Sequence, residues 1–465
     1  MHNIVFHLRS SLFSRILALS GFLFVIAVFY PGFLSSDSME QYQQAKLGVL
    51  SDAHPIAMSL LWRGLIYIHD GPLLMLVLQS ALLWTGLYLL TRVYMTRWRG
   101  IYPLLFLVVG ITPNMLIYAG VIWKDVQMAH SYLAATALFV WILNADQPAR
   151  KAVRCAAFLA GLLLFYGSLV RHNAIAAAIP MVPLFACALS RCWDGVCNLV
   201  SRRTMYLSII LFILLLGAQP LLNVVVKPQR DHFVQYIQLY DLAGISLRID
   251  KPLFPDWIIN DKARFNMQSV KHFYNPYSGN YLFYDHYGLD YPAPLTMTRD
   301  PGRLAELNSV WINSVLAYWP QWIDHKLDCF LALLRYSDWS WNSVAGVLVI
   351  QENHQSRRPF YSVATISYLI LFSGTYLFRP WIWIYIIIAG LIVALMGIKR
   401  IPQSRQQFAI CFTLFLSALL YIAGYALISS ADDFRYVYWS TFATIIGWII
   451  LIGEAKEIAG IEQKT

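Results

Sequence analysis

The acidic residue Asp37 stands where a long apolar run gives way to a polar stretch in this 465-residue chain. The apolar run covers residues 16–30 and stops at Pro31-Gly32, where a membrane helix would reach the surface. An ionised side chain at the centre of a bilayer costs about 2.5–3.5 kcal/mol, so a carboxylate beside a membrane segment calls for a functional reason. A carboxylate within hydrogen-bond reach of a hydroxyl or amine can remove its proton as a general base. Asp37 is therefore the leading catalytic candidate.

Other polar residues follow Asp37 closely and favour a site over a simple helix cap. Asp37 with Ser35 or Ser36 could merely cap a helix over residues 39–49, because Ser and Asp accept hydrogen bonds from the N–H groups of a first turn. A cap needs no further polar groups, yet several precede the next apolar segment. They supply three candidate substrate contacts and one alternative base: Gln41, Gln44 and His54 as the contacts, and Asp52 as the base.

Three more polar turns carry the charges that transfer of a group from a lipid phosphate would need. A leaving phosphate needs positive charge, and Arg provides it best because its planar fork matches phosphate oxygens. We expect these turns to converge with Asp37: Lys124-Asp125, Arg171-His172-Asn173 and Asp433-Phe434-Arg435. Asp125 is then a second candidate catalytic carboxylate, and the candidate phosphate or substrate ligands are Lys124, Arg171, His172 and Arg435. Each turn also has a structural interpretation, as an ion pair at the end of a span or a cation anchored at the membrane surface.

The composition is typical of a membrane protein with many spans. Hydrophobic residues make up 58% of the chain and the mean hydropathy is +0.54, whereas soluble proteins contain about 45–50% apolar residues. The net charge of +10 is distributed over short loops between apolar runs, so nucleic acid is not an expected partner. The six cysteines lack zinc spacing, and no metal site is predicted, although a divalent cation stays open as a cofactor. The sequence contains no Walker loop and no GxGxxG, HExxH or GxSxG motif.

Apolar runs long enough to cross a bilayer predict an all-α polytopic bundle of 11 or 12 transmembrane helices. Eleven runs are clear: residues 12–30, 72–94, 101–118, 126–143, 155–170, 174–189, 206–226, 361–378, 381–398, 408–428 and 436–452. A twelfth crossing within residues 326–350 is interrupted by polar residues, but the basic loops around it favour its presence. Lys and Arg are enriched in cytoplasmic loops, and this rule places Asp37 on the outer face.

The order of the runs divides the chain into three parts. Residues 1–226 form a transmembrane module, and its first external loop, residues 31–70, contains a short helix at the membrane surface. Residues 227–325 form an extracytoplasmic domain inserted between spans. Residues 326–465 form the C-terminal transmembrane helices.

The layout of residues 12–226 resembles the GT-C superfamily of membrane glycosyltransferases, which includes the protein O-mannosyltransferases and the bacterial aminoarabinose transferases that modify lipid A. In that family the first external loop carries a catalytic Asp and then a His-Pro pair, which match Asp37 and His54-Pro55 here. A second Asp commonly lies on the next external loop, which matches Asp125. Many members have paired acidic residues at the first site, whereas Ser38 follows Asp37 in this chain, so Asp52 stays an alternative base.

This resemblance implies a GT-C-like fold and an inverting glycosyl transfer. The implied donor is a polyprenyl-phosphate sugar, and the implied acceptor is a lipid or polysaccharide. Asp37 would be the general base, and Lys124 or Arg171 would bind the donor phosphate. The expected location is the bacterial cytoplasmic (inner) membrane, with the active site facing the periplasm.

Two other classes of membrane protein compete with this interpretation. A transporter or flippase for a lipid-linked saccharide would also place charges near the membrane, but transporters often show matched halves with broken helices. This chain instead has one polar first loop and one large external insert, which favours an enzyme. A polymerase or ligase of surface polysaccharide uses similar lipid-linked donors, and the sequence separates it poorly from a glycosyltransferase.

Overall fold

The computed structural model describes residues 2–98, 100–146, 148–194, 201–284, 292–335 and 360–462. These residues form helices joined by short loops, with isolated β-bridges and no named β-strand. The α-helices in chain order are α1 (His2–Phe29), α2 (Ser36–Leu47), α3 (Ala57–Ile66), α4 (Leu73–Arg97), α5 (Leu105–Val109), α6 (Pro113–Ala119), α7 (Lys124–Asn144), α8 (Arg150–Leu169), α9 (Ala174–Asp194), α10 (Arg202–Val226), α11 (Val234–Ile249), α12 (Asp256–Ile259), α13 (Met267–Phe273), α14 (Pro301–Ala317), α15 (Trp319–Leu334), α16 (Phe360–Ser373), α17 (Pro380–Arg400), α18 (Arg405–Ile428) and α19 (Tyr438–Glu462).

Nine helices within the described ranges are long and apolar enough to cross a membrane, namely α1, α4, α7, α8, α9, α10, α17, α18 and α19. This confirms the predicted all-α, multi-pass class. The run predicted over residues 101–118 is a pair of short helical segments bent by 46° at residues 110–112. The run over residues 361–378 contains the shorter helix α16, and most of the crossing predicted over residues 326–350 lies outside the described residues. The choice between 11 and 12 spans stays a prediction.

Helix α7 lies at the centre of the bundle. It packs against α4, α8, α9 and α19, and almost all of its side chains are buried. A helix that is apolar all round is typical of a buried position, and small residues such as Ala129, Ala135 and Ala137 let its neighbours approach closely. Helix α7 begins at Lys124. Its first polar residues, Lys124 and Asp125, therefore lie near the centre of one end of the bundle.

Helix α10 shows the opposite pattern at the edge of the bundle. It packs on α9 and α8, and most of its apolar side chains are exposed, including Ile213, Leu214, Val224 and Val225. An exposed apolar surface of this extent is what lipid covers in a membrane protein. Helix α7 therefore lies in the bundle interior, whereas α10 presents an apolar surface that suits contact with lipid.

A parallel β-bridge joins the chain before α2 to the chain before α7. The Phe33 N–H donates to the Gly120 carbonyl (3.0 Å), and the Ile122 N–H donates to the Phe33 carbonyl (2.9 Å). A Cβ atom at Gly120 would lie 2.1 Å from the Phe29 ring, so this close approach requires glycine. The bridge places the first turn of α2 beside the first turn of α7.

The segment between α10 and α16 includes helices α11–α15, which have a hydrophobic core of their own, with Leu239, Leu242, Phe254, Leu282 and Leu295 among its buried members. We call helices α11–α15 and their loops the insert. Helix α15 continues past residue 325 to Leu334, so the insert runs into the segment that precedes the C-terminal helices.

Two backbone contacts dock the insert on the end of the bundle that carries α2. The Gly279 N–H donates to the Ser430 carbonyl (2.8 Å), and the Asp432 N–H donates to the Tyr277 carbonyl (3.0 Å). A second bridge joins Ser51, after α2, to the start of the insert. The insert therefore covers the same end of the bundle as α2, α3 and the turn before α19.

Candidate functional site

The N-terminal cap of α2 is Ser35, which leaves the Asp37 side chain available for other contacts. The Ser35 hydroxyl accepts a hydrogen bond from the Ser38 N–H, and the Ser38 side chain accepts one from the Ser35 N–H, which together form a capping box. Asp37 lies in the first turn of the helix, where the macrodipole favours a negative charge. The cap that the sequence allowed for Asp37 is therefore supplied by its neighbour.

The Asp37 carboxylate forms an ion pair with Arg435, which precedes α19. Arg435 Nη1 lies 3.1 Å from Asp37 Oδ2, and Arg435 Nε lies 2.8 Å from Asp433 Oδ2. The guanidinium lies over the Trp123 ring (4.5 Å to the centroid) and near the Tyr436 ring (5.3 Å). These contacts join the first external loop to the C-terminal helices and fix the direction of the Arg435 fork.

Lys124 approaches the same cluster from the start of α7. Its Nζ atom lies 2.7 Å from His54 Nδ1, and His54 Nε2 lies 3.7 Å from Glu40 Oε2. Burial and the Lys124 charge together lower the pKa of His54 to about 3. His54 is therefore neutral near pH 7, and its Nδ1 atom accepts a hydrogen bond from the Lys124 amino group.

The two acidic residues of α2 have pKa values displaced in opposite directions. Burial raises the pKa of Asp37, but the charges of Arg435 and Lys124 outweigh it and hold this pKa well below its usual range. Burial and the nearby Asp37 charge raise the pKa of Glu40. The Asp37 side chain is 29% exposed and that of Glu40 is 50% exposed, so both carboxylates reach solvent at the edge of the cluster.

Asp125 lies next to Lys124 in sequence but belongs to a different set of contacts. It accepts a hydrogen bond from Arg171 Nη1 and has no exposed surface. Arg171 also donates to Asn173 Oδ1 (2.8 Å) and lies over the Tyr436 ring (4.9 Å). Asp125, the second predicted carboxylate, and Arg171, a predicted phosphate ligand, therefore form a buried ion pair with each other.

Three other predicted residues make local packing contacts. Asp52 accepts a hydrogen bond from the Asp231 N–H (2.7 Å) and so joins the loop after α2 to the insert. The buried Gln41 donates to the Asp37 backbone carbonyl (3.2 Å), and the buried Gln44 donates to the Glu40 carboxylate (3.1 Å). These contacts stabilise α2 and the loop that follows it, and α2 carries Asp37 and Glu40.

His172 is exposed in the turn between α8 and α9. Desolvation of the part of its ring that packs against the protein, together with the charges of Lys124 and Arg171, lowers its pKa. The structure therefore places the side chain at the rim of the cluster, within the electrostatic influence of both cations.

Sequence reasoning missed the aromatic residues that hold the cluster. Trp123 Nε1 donates to the Ser35 hydroxyl (2.6 Å), and the Trp123 ring lies under the Arg435 guanidinium. Tyr436 lies near both Arg171 and Arg435. From the insert, Tyr284 is close enough for the Glu40 and Asp37 charges to raise its pKa, in addition to burial. The signal available in the sequence was an aromatic residue directly beside each cation, in Trp123-Lys124 and Arg435-Tyr436.

A second acidic cluster lies inside the insert and has a different character. Asp241 of α11 is fully buried, and its Oδ2 accepts hydrogen bonds from the Trp311 (3.1 Å) and Trp322 (2.9 Å) indoles. Its Oδ1 lies 2.5 Å from Lys326 Nζ and 3.3 Å from His325 Nε2. This cluster joins α11, α14 and α15 and has no access to solvent.

The described residues contain no group of three or more His, Cys, Asp or Glu side chains placed to hold a metal ion. At the candidate site, Asp37, Asp433 and Asp125 each have an arginine partner. This donor set does not fit the divalent cation that the sequence left open, and we derive no step through one.

Comparison with known proteins gives no family for this chain. No protein-family model, no curated protein and no solved structure matches it. The functional argument therefore depends on the site itself.

Proposed function

We propose that this protein is a membrane glycosyltransferase of the GT-C type, which moves a sugar from a polyprenyl-phosphate donor to a lipid or polysaccharide acceptor. The supporting observation is a solvent-accessible carboxylate near a basic side chain that forms no direct ion pair with a carboxylate in the described part of the chain. The carboxylate is Asp37, and the cation is Lys124, whose ammonium bonds the neutral ring of His54. A cation with a neutral partner keeps its charge available for a phosphate.

In the proposed reaction the acceptor oxygen attacks the anomeric carbon from the side opposite the donor phosphate. A bond forms between these two atoms, and the bond between the anomeric carbon and the phosphate oxygen breaks. The electron pair leaves with the lipid phosphate, and the proton of the acceptor hydroxyl passes to Asp37 as general base. Lys124 and Arg435 stabilise the negative charge of the departing phosphate, and the anomeric configuration inverts.

The membrane setting supports a lipid-linked donor. The cluster lies at one end of a bundle of apolar helices, next to the short helix α3 and below the insert. A polyprenyl chain in the bilayer would bring its phosphate to this end of the bundle without entering water. We place this end on the extracytoplasmic side of a bacterial inner membrane, because a lipid-linked sugar is available there and a nucleotide sugar is not.

The test is transfer of radiolabelled sugar from synthetic polyprenyl-phosphate donors by the purified protein in liposomes. We expect Asp37→Asn to lower the transfer rate by about 10²–10⁴-fold, the range for loss of a general base. The matched control is Asp70→Asn, because Asp70 pairs with Lys46 at the surface and has no role in the mechanism. We expect Asp70→Asn to transfer at the wild-type rate.

Three results would contradict parts of this proposal. If Asp37→Asn stays active while Glu40→Gln loses activity, the base is the other exposed carboxylate of α2. If both variants stay active, neither carboxylate is the base. If wild type transfers sugar from no donor but moves the lipid-linked saccharide across the liposome membrane, the protein is a transporter and the enzyme proposal is wrong.

A further inference from the structure

The contacts of Arg435 with two carboxylates restrict how this residue can bind a phosphate. A guanidinium binds an oxyanion with two parallel N–H groups, either along its Nε/Nη2 edge or along its Nη1/Nη2 edge. In this structure Nη1 donates a hydrogen bond to Asp37 Oδ2 (3.1 Å), and Nε lies 2.8 Å from Asp433 Oδ2 as an ion pair without a hydrogen bond. The Trp123 ring covers one flat side of the group. Each two-point edge therefore has one nitrogen engaged with a carboxylate, and a phosphate must displace one of them.

The two carboxylates differ in how firmly the rest of the chain holds them. Asp433 is the N-cap of the short 3₁₀ helix Phe434–Val437, and its Oδ1 accepts a hydrogen bond from the Arg435 N–H (3.0 Å). In the described part of the chain, the Asp37 carboxylate has Arg435 as its one hydrogen-bond partner. Asp37 is also more exposed, at 29% against 18% for Asp433. Asp37 is therefore the carboxylate that gives way.

We propose that the donor's phosphate competes with Asp37 for Arg435, so that donor binding releases the carboxylate that then acts on the acceptor. This inference rests on the proposed glycosyl transfer and adds an order of events to it. The donor binds first, because Asp37 is paired with Arg435, and is therefore a weaker base, until a phosphate takes its place. The acceptor hydroxyl binds second, at the released carboxylate.

The electrostatics of the cluster agree with this order. Burial raises the pKa of Asp37, whereas the Arg435 charge is the largest of the nearby charges that lower it. A phosphate on Arg435 would offset that charge, and the pKa of Asp37 would rise toward its usual range. A carboxylate with a higher pKa is a stronger base, so the donor would both free and activate the catalytic group.

A double-mutant cycle on phosphate binding tests the competition without any transfer reaction. The probe is farnesyl phosphate, a short-chain polyprenyl phosphate, titrated into the full-length protein in nanodiscs at fixed pH and salt. We expect Asp37→Asn to bind the probe about tenfold more tightly than wild type, because Arg435 no longer has a competing carboxylate. In the Arg435→Gln background, we expect the same Asp37→Asn change to alter affinity by less than about twofold.

The matched control separates competition from general repulsion. Glu40→Gln removes one negative charge from the same helix, one turn away, and Glu40 has no contact with Arg435. We expect Glu40→Gln to have the same small effect in both backgrounds. If Asp37→Asn strengthens binding equally with and without Arg435, Asp37 acts only through its charge and the proposal is wrong. If wild type does not bind farnesyl phosphate, the proposal is also wrong.

If the Arg435→Gln protein fails to fold, a second background that keeps the positive charge replaces it. Arg435→Lys keeps the positive charge but removes the two-point fork, so we expect Asp37→Asn to gain much less affinity in this background than in wild type. An unchanged gain would contradict the competition. Failure of the proposed function gives a different result, in which the cycle shows coupling but no polyprenyl-phosphate sugar supports transfer.

Discussion

Asp37 and Asp241 are both acidic residues paired with basic side chains, but they differ in the number of polar groups around the carboxylate and in exposure to solvent. Asp241 is fully buried, with two indole N–H groups on one oxygen and Lys326 and His325 beside the other. Asp37 has one hydrogen-bonded oxygen and an exposed fraction of 29%. A carboxylate that is fully buried against cations and indole N–H groups can only stabilise the fold, whereas a partly exposed carboxylate can also accept a proton from a substrate.

The lysine residues of the two clusters show the same difference. Lys326 is almost fully buried and lies against the Asp241 carboxylate (2.5 Å), so its charge is neutralised within the insert. Lys124 bonds His54, whose ring is neutral near pH 7 because its pKa is lowered to about 3 by burial and by Lys124. The lysine of the insert pairs with a carboxylate, whereas Lys124 in the cluster around Asp37 pairs with an uncharged ring.

The largest effect on stability is expected from Asp241→Asn. This change leaves Lys326 buried without its carboxylate, and loss of one partner of a buried ion pair costs about 3–5 kcal/mol. Thermal and chemical unfolding in detergent would measure the loss. Because the side chains that hold Asp241 come from helices of the insert, we expect the transfer rate per folded molecule to stay at the wild-type value.

Asp37→Asn provides the reciprocal half of that comparison. We expect it to lower the unfolding temperature less than Asp241→Asn does, because the Asp37 side chain is partly exposed and Arg435 keeps Asp433 as a second carboxylate partner. If Asp241→Asn abolished transfer in fully folded protein, or Asp37→Asn unfolded the protein, the distinction between the two clusters would be wrong.

A smaller effect is expected from Lys124→Met, which tests the available positive charge. Methionine keeps much of the length of the lysine side chain but removes its charge. We expect the KM for the lipid-phosphate donor to rise about tenfold, since a charge-assisted hydrogen bond contributes about 1.5–3 kcal/mol. Steady-state kinetics at varied donor concentration would measure it. A normal KM for the donor with a raised KM for the acceptor would place the phosphate elsewhere.

The sequence predicted the spans well because hydropathy is a local property of the chain. It missed the break between α5 and α6, although the signal was present in Thr112-Pro113. A residue before proline is disfavoured in the helical region, and proline has no N–H for the preceding turn. The apolar composition of residues 101–118 hid this break, because hydropathy does not depend on whether a segment bends.

The membership of the cluster could be predicted only in part. Asp37 and Arg435 are separated by 398 positions, and their contact follows from the packing of α19 in the bundle, which no local pattern encodes. The sequence predicted one site for the adjacent residues Lys124 and Asp125, although the helix directs their side chains to different partners. Successive residues project about 100° apart, so Lys124 faces His54 while Asp125 faces Arg171. Gln41 lies on the packed face of α2 for the same reason.

The pH dependence of stability offers the smallest and most specific test of the cluster. Burial and the Lys124 charge lower the pKa of His54 from 6.5 in the unfolded chain to about 3 in the folded protein. Between these values the unfolded state binds more protons, so this residue's contribution to stability is complete above pH 6.5 and is lost as the pH falls toward 3. The limiting slope for one proton is about 1.36 kcal/mol per pH unit.

We expect His54→Gln to remove this contribution. Unfolding of wild type and His54→Gln in detergent, measured between about pH 4 and pH 7, should show a flatter dependence for the variant by up to one proton. His172 lies in the same electrostatic environment and also has a lowered pKa, but it is present in both proteins and cancels from the difference. Asp37 has a lowered pKa as well, and its contribution is lost only below its usual value of 3.8. Identical slopes for the two proteins would show that His54 has the same pKa in the folded and the unfolded chain. The partner of Lys124 would then not be a permanently neutral ring, which would contradict the proposed role of Lys124.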